Sequence, residues 1–239
     1  MNTKNVIVSA LLIMLGLVIG LIGHGVFVKL GIGSYADKDR FVSVKGLSER
    51  EVKADHVIWP IVFKEVGDNL VTLSETVQNK VETLEKFLIE NGVAAKEITK
   101  ASPDITDTQS ELYTSNKHSF RYVVTEVVTV ATKDVDKIRD IMSKNGELLK
   151  KGIAISESDY RYRKVFSFNG LGAIKPEMIE EANKNARTAA QKFAMDSGSK
   201  LGKIKTATQG QFSIEDRDEN TPFIKKVRVV TSVQYYLED

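Results

Sequence analysis

The chain has 239 residues, with 34 Lys plus Arg against 32 Asp plus Glu, three His, no Cys and 42% hydrophobic positions. This balance describes a folded chain whose core needs no covalent staple. The absence of Cys excludes disulfide scaffolds, thiolate zinc sites and thiol catalysis. Lys4 and Lys29 are the charged side chains of residues 1–36, so residues 37–239 carry 32 charges of each sign. A neutral body argues against a nucleic-acid binder, which needs a basic field.

Residues 6–28 contain no formal charge and are dominated by Leu, Ile, Val and Gly. As a helix rising about 1.5 Å per residue, the segment reaches roughly 34 Å, enough to cross a hydrocarbon core of about 30 Å. The alternative is a secretory signal cut after Ala36, where Ser34 and Ala36 are small. The apolar run is longer than the about 7 to 15 residues of a signal h-region, which favours an uncleaved anchor. Residues 1–5 then form a cytoplasmic leader, 6–28 a single-pass anchor in the inner membrane, 29–39 a linker and 40–239 an exported domain on the periplasmic side. The positive-inside rule orients it weakly, Lys4 facing Lys29, Lys38 and Arg40 across the span. Gly16 and Gly20 form a small-xxx-small pair through which two such helices pack closely. His24 follows on the same face near the outer end, where a proton-relay role is not expected.

In the exported part, residues 41–47 and 57–66 read as strands flanking a charged turn at 48–55, and Pro60 demotes the second to an edge or bulged strand. Leu70, Leu73, Val77, Val81, Leu84 and Leu88 recur at spacings of three and four, predicting a helix capped by Asp68 and stopped by Gly92. Residues 98–108 are a weak strand candidate and 119–131, rich in Val, Thr and aromatics, a strong one. Val135, Ile138, Ile141, Met142, Leu148 and Leu149 stripe a second helix closed by Lys150, Lys151 and Gly152. Residues 153–168 predict a long strand. A third helix opens with Pro176 beside Glu177, Glu180 and Glu181. Its inner face of Ile179, Ala182, Ala186, Ala189, Ala190, Phe193 and Ala194 is mostly small, so its axis can lie close to what it covers. Residues 203–212 and 227–237 finish the chain as strands around an acidic turn. The order is roughly ββαββαβαββ without an internal linker. It predicts an α+β fold of mostly antiparallel sheet, helices packed on one face, preceded by one N-terminal transmembrane helix.

Three stretches together resemble the SIMPL domain: Phe41, Val42, Ser43, Val44, Lys45 and Gly46 in the opening strand; Asn91, Gly92 and Val93 followed by Glu97, Ile98 and Thr99; and the Ala-spaced helix running into Gly198, Leu201, Gly202 and Ile204. The resemblance covers about residues 40–237. It implies a bacterial envelope protein similar to the periplasmic immunogenic and oxidative-stress-defence members, built of α+β units and able to assemble into large rings. The family brings no established catalytic residues. The long anchor departs from the removable signal of many members.

No reaction is legible in the residues. Gly170, Leu171 and Gly172 sit between a strand and a helix, as a phosphate loop would, but Lys175 stands in the place of the third glycine. Ser197 and Lys200 satisfy S-x-x-K at a helix end without its usual S-D-N or K-T-G partners. Asp216, Asp218 and Asn220 mimic the first three oxygen ligands of a calcium loop, with Thr221 where Gly is required and Val227 where Glu should close it; Asx turns account for them equally. Tyr160, Arg161, Tyr162, Arg163 and Lys164 interleave rings and bases as a single-strand nucleic-acid platform does, but strand alternation sends rings and bases to opposite faces. His56 and His118 read as ordinary polar residues and Trp59 as core or interface. The expectation is a non-enzymatic, membrane-anchored envelope protein that forms a homo-oligomer or binds another envelope component, with no cofactor, no nucleic acid and an unidentified small-molecule ligand. The alternatives are an envelope hydrolase or a calcium- or nucleotide-binding module.

Overall fold

The computed structural model describes residues 14–28, 40–110, 119–156 and 160–238. Residues 14–28 are helical (α1), and no helix among the described residues is long and apolar enough to cross a membrane. The rest of the expected span, residues 6–13, lies outside the described residues, as do the leader, linker residues 29–39 with Ala36, and His118. The elements that follow are β1 (Phe41–Lys53), β2 (His56–Gly67), α2 (Leu70–Glu90), a 3-10 turn (Ala95–Glu97), β3 (Ile98–Lys100), β4 (Asp104–Asp107) and β5 (Tyr122–Thr132). They continue with α3 (Val135–Ser143), α4 (Asn145–Lys150), β6 (Val165–Ser167), α5 (Leu171–Asp196), β7 (Lys200–Gln209), β8 (Ser213–Asp216) and β9 (Ile224–Glu238). The fold is α+β, as expected.

The chain forms two compact units, and β1, α5 and β9 each contribute to both. The larger takes Glu49–Pro176 and Ser213–Arg228. Its sheet runs β3-β5-β2-β6, with β4 also on β5. Antiparallel pairing of β2 with β5 runs unbroken from Val57↔Thr132 to Gly67↔Tyr122. Strand alternation sends Val57, Trp59, Ile61 and Phe63 to one face with Val124, Val128 and Val130. Against them pack Leu73, Val77, Val81, Leu84, Phe87 and Leu88 of α2, Ile138 and Ile141 of α3, and Leu148 of α4. The apolar stripe read from the sequence is therefore the buried one, apart from Leu70 at the exposed start and Phe87, which joins it. Asn69 rather than Asp68 caps α2, accepting from the N–H groups of Val71 (3.0 Å) and Thr72 (3.2 Å); Asp68 instead accepts from the N–H of Arg121. Gly92 ends the helix at φ +88°, a conformation that favours glycine.

The smaller unit comprises the described residues of Met1–Ser48, Glu177–Phe212 and Val229–Asp239. Its strands lie in the order β1-β9-β7. Met178, Ala182, Ala186, Ala190 and Ala194 of α5 are buried at a strict spacing of four. Gly46 of β1 lies directly beneath: a Cβ there would stand 1.8 Å from the Ala182 carbonyl oxygen and 2.6 Å from the Ala186 nitrogen. The small inner face thus does bring the helix backbone onto a strand. Phe193 is 59% exposed and belongs to the outer side, contrary to expectation.

Several elements differ from the sequence reading. The charged stretch 48–53 continues β1, because Glu49, Glu51 and Lys53 fill the exposed alternate positions of a strand. Pro103 divides the weak strand 98–108 into β3 and β4. The second helix breaks at Lys144, where Asn145 and Gly146 are poor helix formers. Residues 153–168 do not form one strand: Ile155 makes an isolated bridge to Phe63, residues 160–162 turn, and β6 is short. The third helix begins at Leu171, so Pro176 sits inside it; the bond it forfeits is the one to the Gly172 carbonyl.

Candidate functional site

The residues weighed and disfavoured as a phosphate loop, a serine nucleophile and a calcium loop are engaged within the protein itself. Asp55, in the turn between β1 and β2, accepts from the N–H of Asn169 (2.8 and 3.0 Å) and of Gly170 (2.8 Å). The anion position at the start of α5, which a nucleotide phosphate would take, therefore holds a carboxylate of the chain. The Ser197 hydroxyl donates to the Ala194 carbonyl at 2.9 Å, closing α5. Asp216 pairs with the largely buried Lys225. Asp218 accepts from the Thr221 hydroxyl, from Arg217 Nε at 3.0 Å and from the N–H groups of Asn220 and Thr221. Those contacts, the Thr221 hydroxyl foremost, hold its carboxyl down at about 2. Asn220 thus supplies a backbone donor to an Asx turn, and among the described residues no group of three His, Cys, Asp or Glu is placed to hold a metal. Gly16 and Gly20 lie on α1, each with open space where a Cβ would stand.

One cleft gathers residues that the sequence singled out separately. Ser156 N–H donates to the Val62 carbonyl at 2.7 Å, and β6 pairs with residues 56–58 of β2. Pro60 lies between, and by the two-residue period its nitrogen faces the same edge without a hydrogen to donate. The edge pairing lapses there, and a cavity of about 440 Å³ opens beside Trp59 and Pro60. Tyr162, Arg163, Lys164 and Arg139 share its lining, and the Arg139 guanidinium lies 3.6 Å from the Phe223 ring centroid while reaching Asp136 at 3.3 Å. Because residues 160–162 turn rather than extend, rings and bases are not segregated: Tyr160 is 77% exposed, Tyr162 is half-buried, and Arg161 stacks on the Tyr162 ring. Bases beside flat apolar walls suit an anionic group on an apolar body.

A second groove, of about 320 Å³, lies between α2 and the broken β3–β4 edge. Val77, Val81, Pro103, Ile105 and Val124 wall it, and Glu126 of β5 stands in its floor at 3% exposure. Burial pushes the Glu126 carboxyl above the usual glutamate range, opposed by a backbone hydrogen bond from Val127.

The SIMPL profile, described as a protein of unknown function (DUF541), matches residues 42–235. The chain belongs to the SIMPL family. A comparison with curated proteins finds no match. The SIMPL description names no activity, so neither cavity inherits a role from it.

Within the SIMPL domain, two site residues escaped the sequence reading. Asp55 lies 114 residues from Asn169 along the chain, so no local pattern joins them. Glu126 was detectable: it stands in step with Val124, Val128 and Val130, a single acid among positions that alternation assigns to the core.

Proposed function

We propose that this SIMPL-domain chain is a non-enzymatic envelope protein. Residues 6–28 tether it in the inner membrane as a single-pass anchor, and residues 40–239 self-assemble on the periplasmic side, in service of a stress response. The observation that carries the reading is α1. Its large apolar side chains from Met14 to Val28 are exposed on every side, with Phe27 at 82%. A helix apolar all round needs lipid or other protein to cover it. Two further features support the reading. The groups most suggestive of catalysis or phosphate binding are engaged structurally, Ser197 with a carbonyl and the Gly170 loop with Asp55. In the sheet β1-β9-β7, the end strands β1 and β7 each have one edge without a strand partner among the described residues, the surface through which strands add.

The test is fractionation of cells making the full chain. The expected outcome is retention in alkaline-washed membranes, digestion by protease added outside spheroplasts, and release into the soluble fraction on Leu17→Asp with Leu21→Asp. A wild-type chain washed free of membranes overturns the tether. A monomeric mass by light scattering, at micromolar concentration in mild detergent, overturns the assembly.

A further inference from the structure

We propose that the groove between α2 and the β3–β4 edge is a binding site for a small aliphatic amine, whose ammonium pairs with the Glu126 carboxylate while its alkyl body lies against Val77, Val81 and Val124. The site is distinct from the anchor and the assembly edges, and it stands or falls without them.

Glu126 lies opposite Phe63 in the β2–β5 register and is almost wholly buried. Removing a carboxylate from water is costly unless a cation or several donors replace the lost hydration. Here the chain supplies one backbone hydrogen bond from Val127 and, among the described residues, no cation. Lys100, the base among the described lining residues, is already engaged with Glu85 at 3.0 Å. The other charged side chain on the lining is Glu82, an exposed acid on α2. Ser74 and Gln78, also on α2, add polar atoms without charge. The groove is therefore acidic within and short of positive charge.

The walls narrow the class of cation. Among the described residues no aromatic side chain lines the groove, and quaternary ammonium recognition depends on aromatic faces. A primary ammonium on an aliphatic stem brings what is missing: three donors for Glu126, Ser74 or Gln78, and methylenes for the valine wall. The volume of about 320 Å³ matches the small end of ligand cavities. Ala101 and Pro103, in the gap between β3 and β4, also line the groove.

Proton balance follows from the burial. Free, the desolvated carboxyl holds its proton above the ordinary glutamate range. Over the pH range in which the free carboxyl is still protonated, a bound ammonium displaces that proton to solvent and the ion pair remains. Affinity therefore rises with pH until the free carboxyl is fully ionised, with Glu82 and Lys100 the other charged groups facing the site.

Calorimetric titration of the detergent-solubilised full chain with n-butylammonium, against a micelle blank, tests the site. Saturable binding is expected, at least tenfold tighter than that of 1-butanol, with affinity increasing with pH. Glu126→Gln keeps the shape and is expected to lose at least tenfold, about the worth of one charge-assisted hydrogen bond. Ser74→Trp leaves the carboxyl intact on an exposed helix position and is expected to abolish binding by filling the groove. Equal affinity for the amine and the alcohol, wild-type affinity in either variant, or no saturation at millimolar amine overturns the proposal.

Discussion

Asp218 and Glu126 are both acids, and the fold moves their protons in opposite directions. Asp218 is exposed, and its carboxyl is stabilised as the anion by the Thr221 hydroxyl first, then Arg217 and two backbone N–H groups. Glu126 is buried, and desolvation favours its neutral form. The consequence for stability follows from the sign of each shift. A carboxyl held at about 2, against an ordinary value of 3.8, contributes stability that is complete above about pH 4. That contribution is lost as pH falls through about 2. The β8–β9 hairpin is expected to weaken over this acid window, and Asp218→Asn to flatten the loss, since an amide does not titrate. Thermal melts of both proteins from pH 5 to pH 2 check it; parallel curves would show that the Asx turn is carried by Thr221 and the backbone alone. Exposure of the group keeps the effect small beside core packing.

Among the elements, α5 and β1 show how a helix can be set by the absence of side chains. Alanines at 182, 186, 190 and 194 present a shallow face, and Gly46 removes the remaining obstruction. A methyl group at 46 meets backbone atoms, which cannot rotate away as a flexible side chain would. Gly46→Ala is therefore expected to destabilise the chain by about 3 kcal/mol, the upper range for overpacking a tight contact, read as a lower urea midpoint. Lys45→Ala, at the neighbouring outward position, serves as the control and is expected to change little. The small face of α5 was legible in the sequence because alanines repeat at the helical period. The stripe of α2 was legible for the same reason. The end of β1 was not: residues 49–53 alternate apolar and charged only weakly, and charge density reads locally as a turn. The supposed strand 153–168 failed for the opposite reason, since β-branched and aromatic residues mark burial as well as extension. Glu126 and Asp55 mark two grades of legibility, the first visible as a break in strand phase, the second only once the chain is folded.

At the scale of the whole molecule, composition placed the greasy segment, the neutral body and the α+β class, all of which are properties of long stretches. It did not choose between one compact domain and two closely packed ones, because β1, α5 and β9 pass between the units without a linker and only tertiary contacts draw the line. For the self-assembly proposed above, two mechanisms are separable at this scale. One is strand addition at the edges of the β1-β9-β7 sheet; the other is close packing of α1 helices through Gly16 and Gly20. Both glycines have open space at the Cβ position, so bulky residues there fit within a single chain and interfere only with a neighbouring helix. Gly16→Ile with Gly20→Ile is accordingly expected to leave the urea midpoint unchanged while lowering the detergent-solubilised mass by light scattering, because small-residue packing depends on backbone approach. An unchanged mass would assign assembly to the strand edges. Alkaline-wash retention should persist in the variant in either case, since isoleucine is at least as apolar as glycine and the tether depends on hydropathy rather than on association.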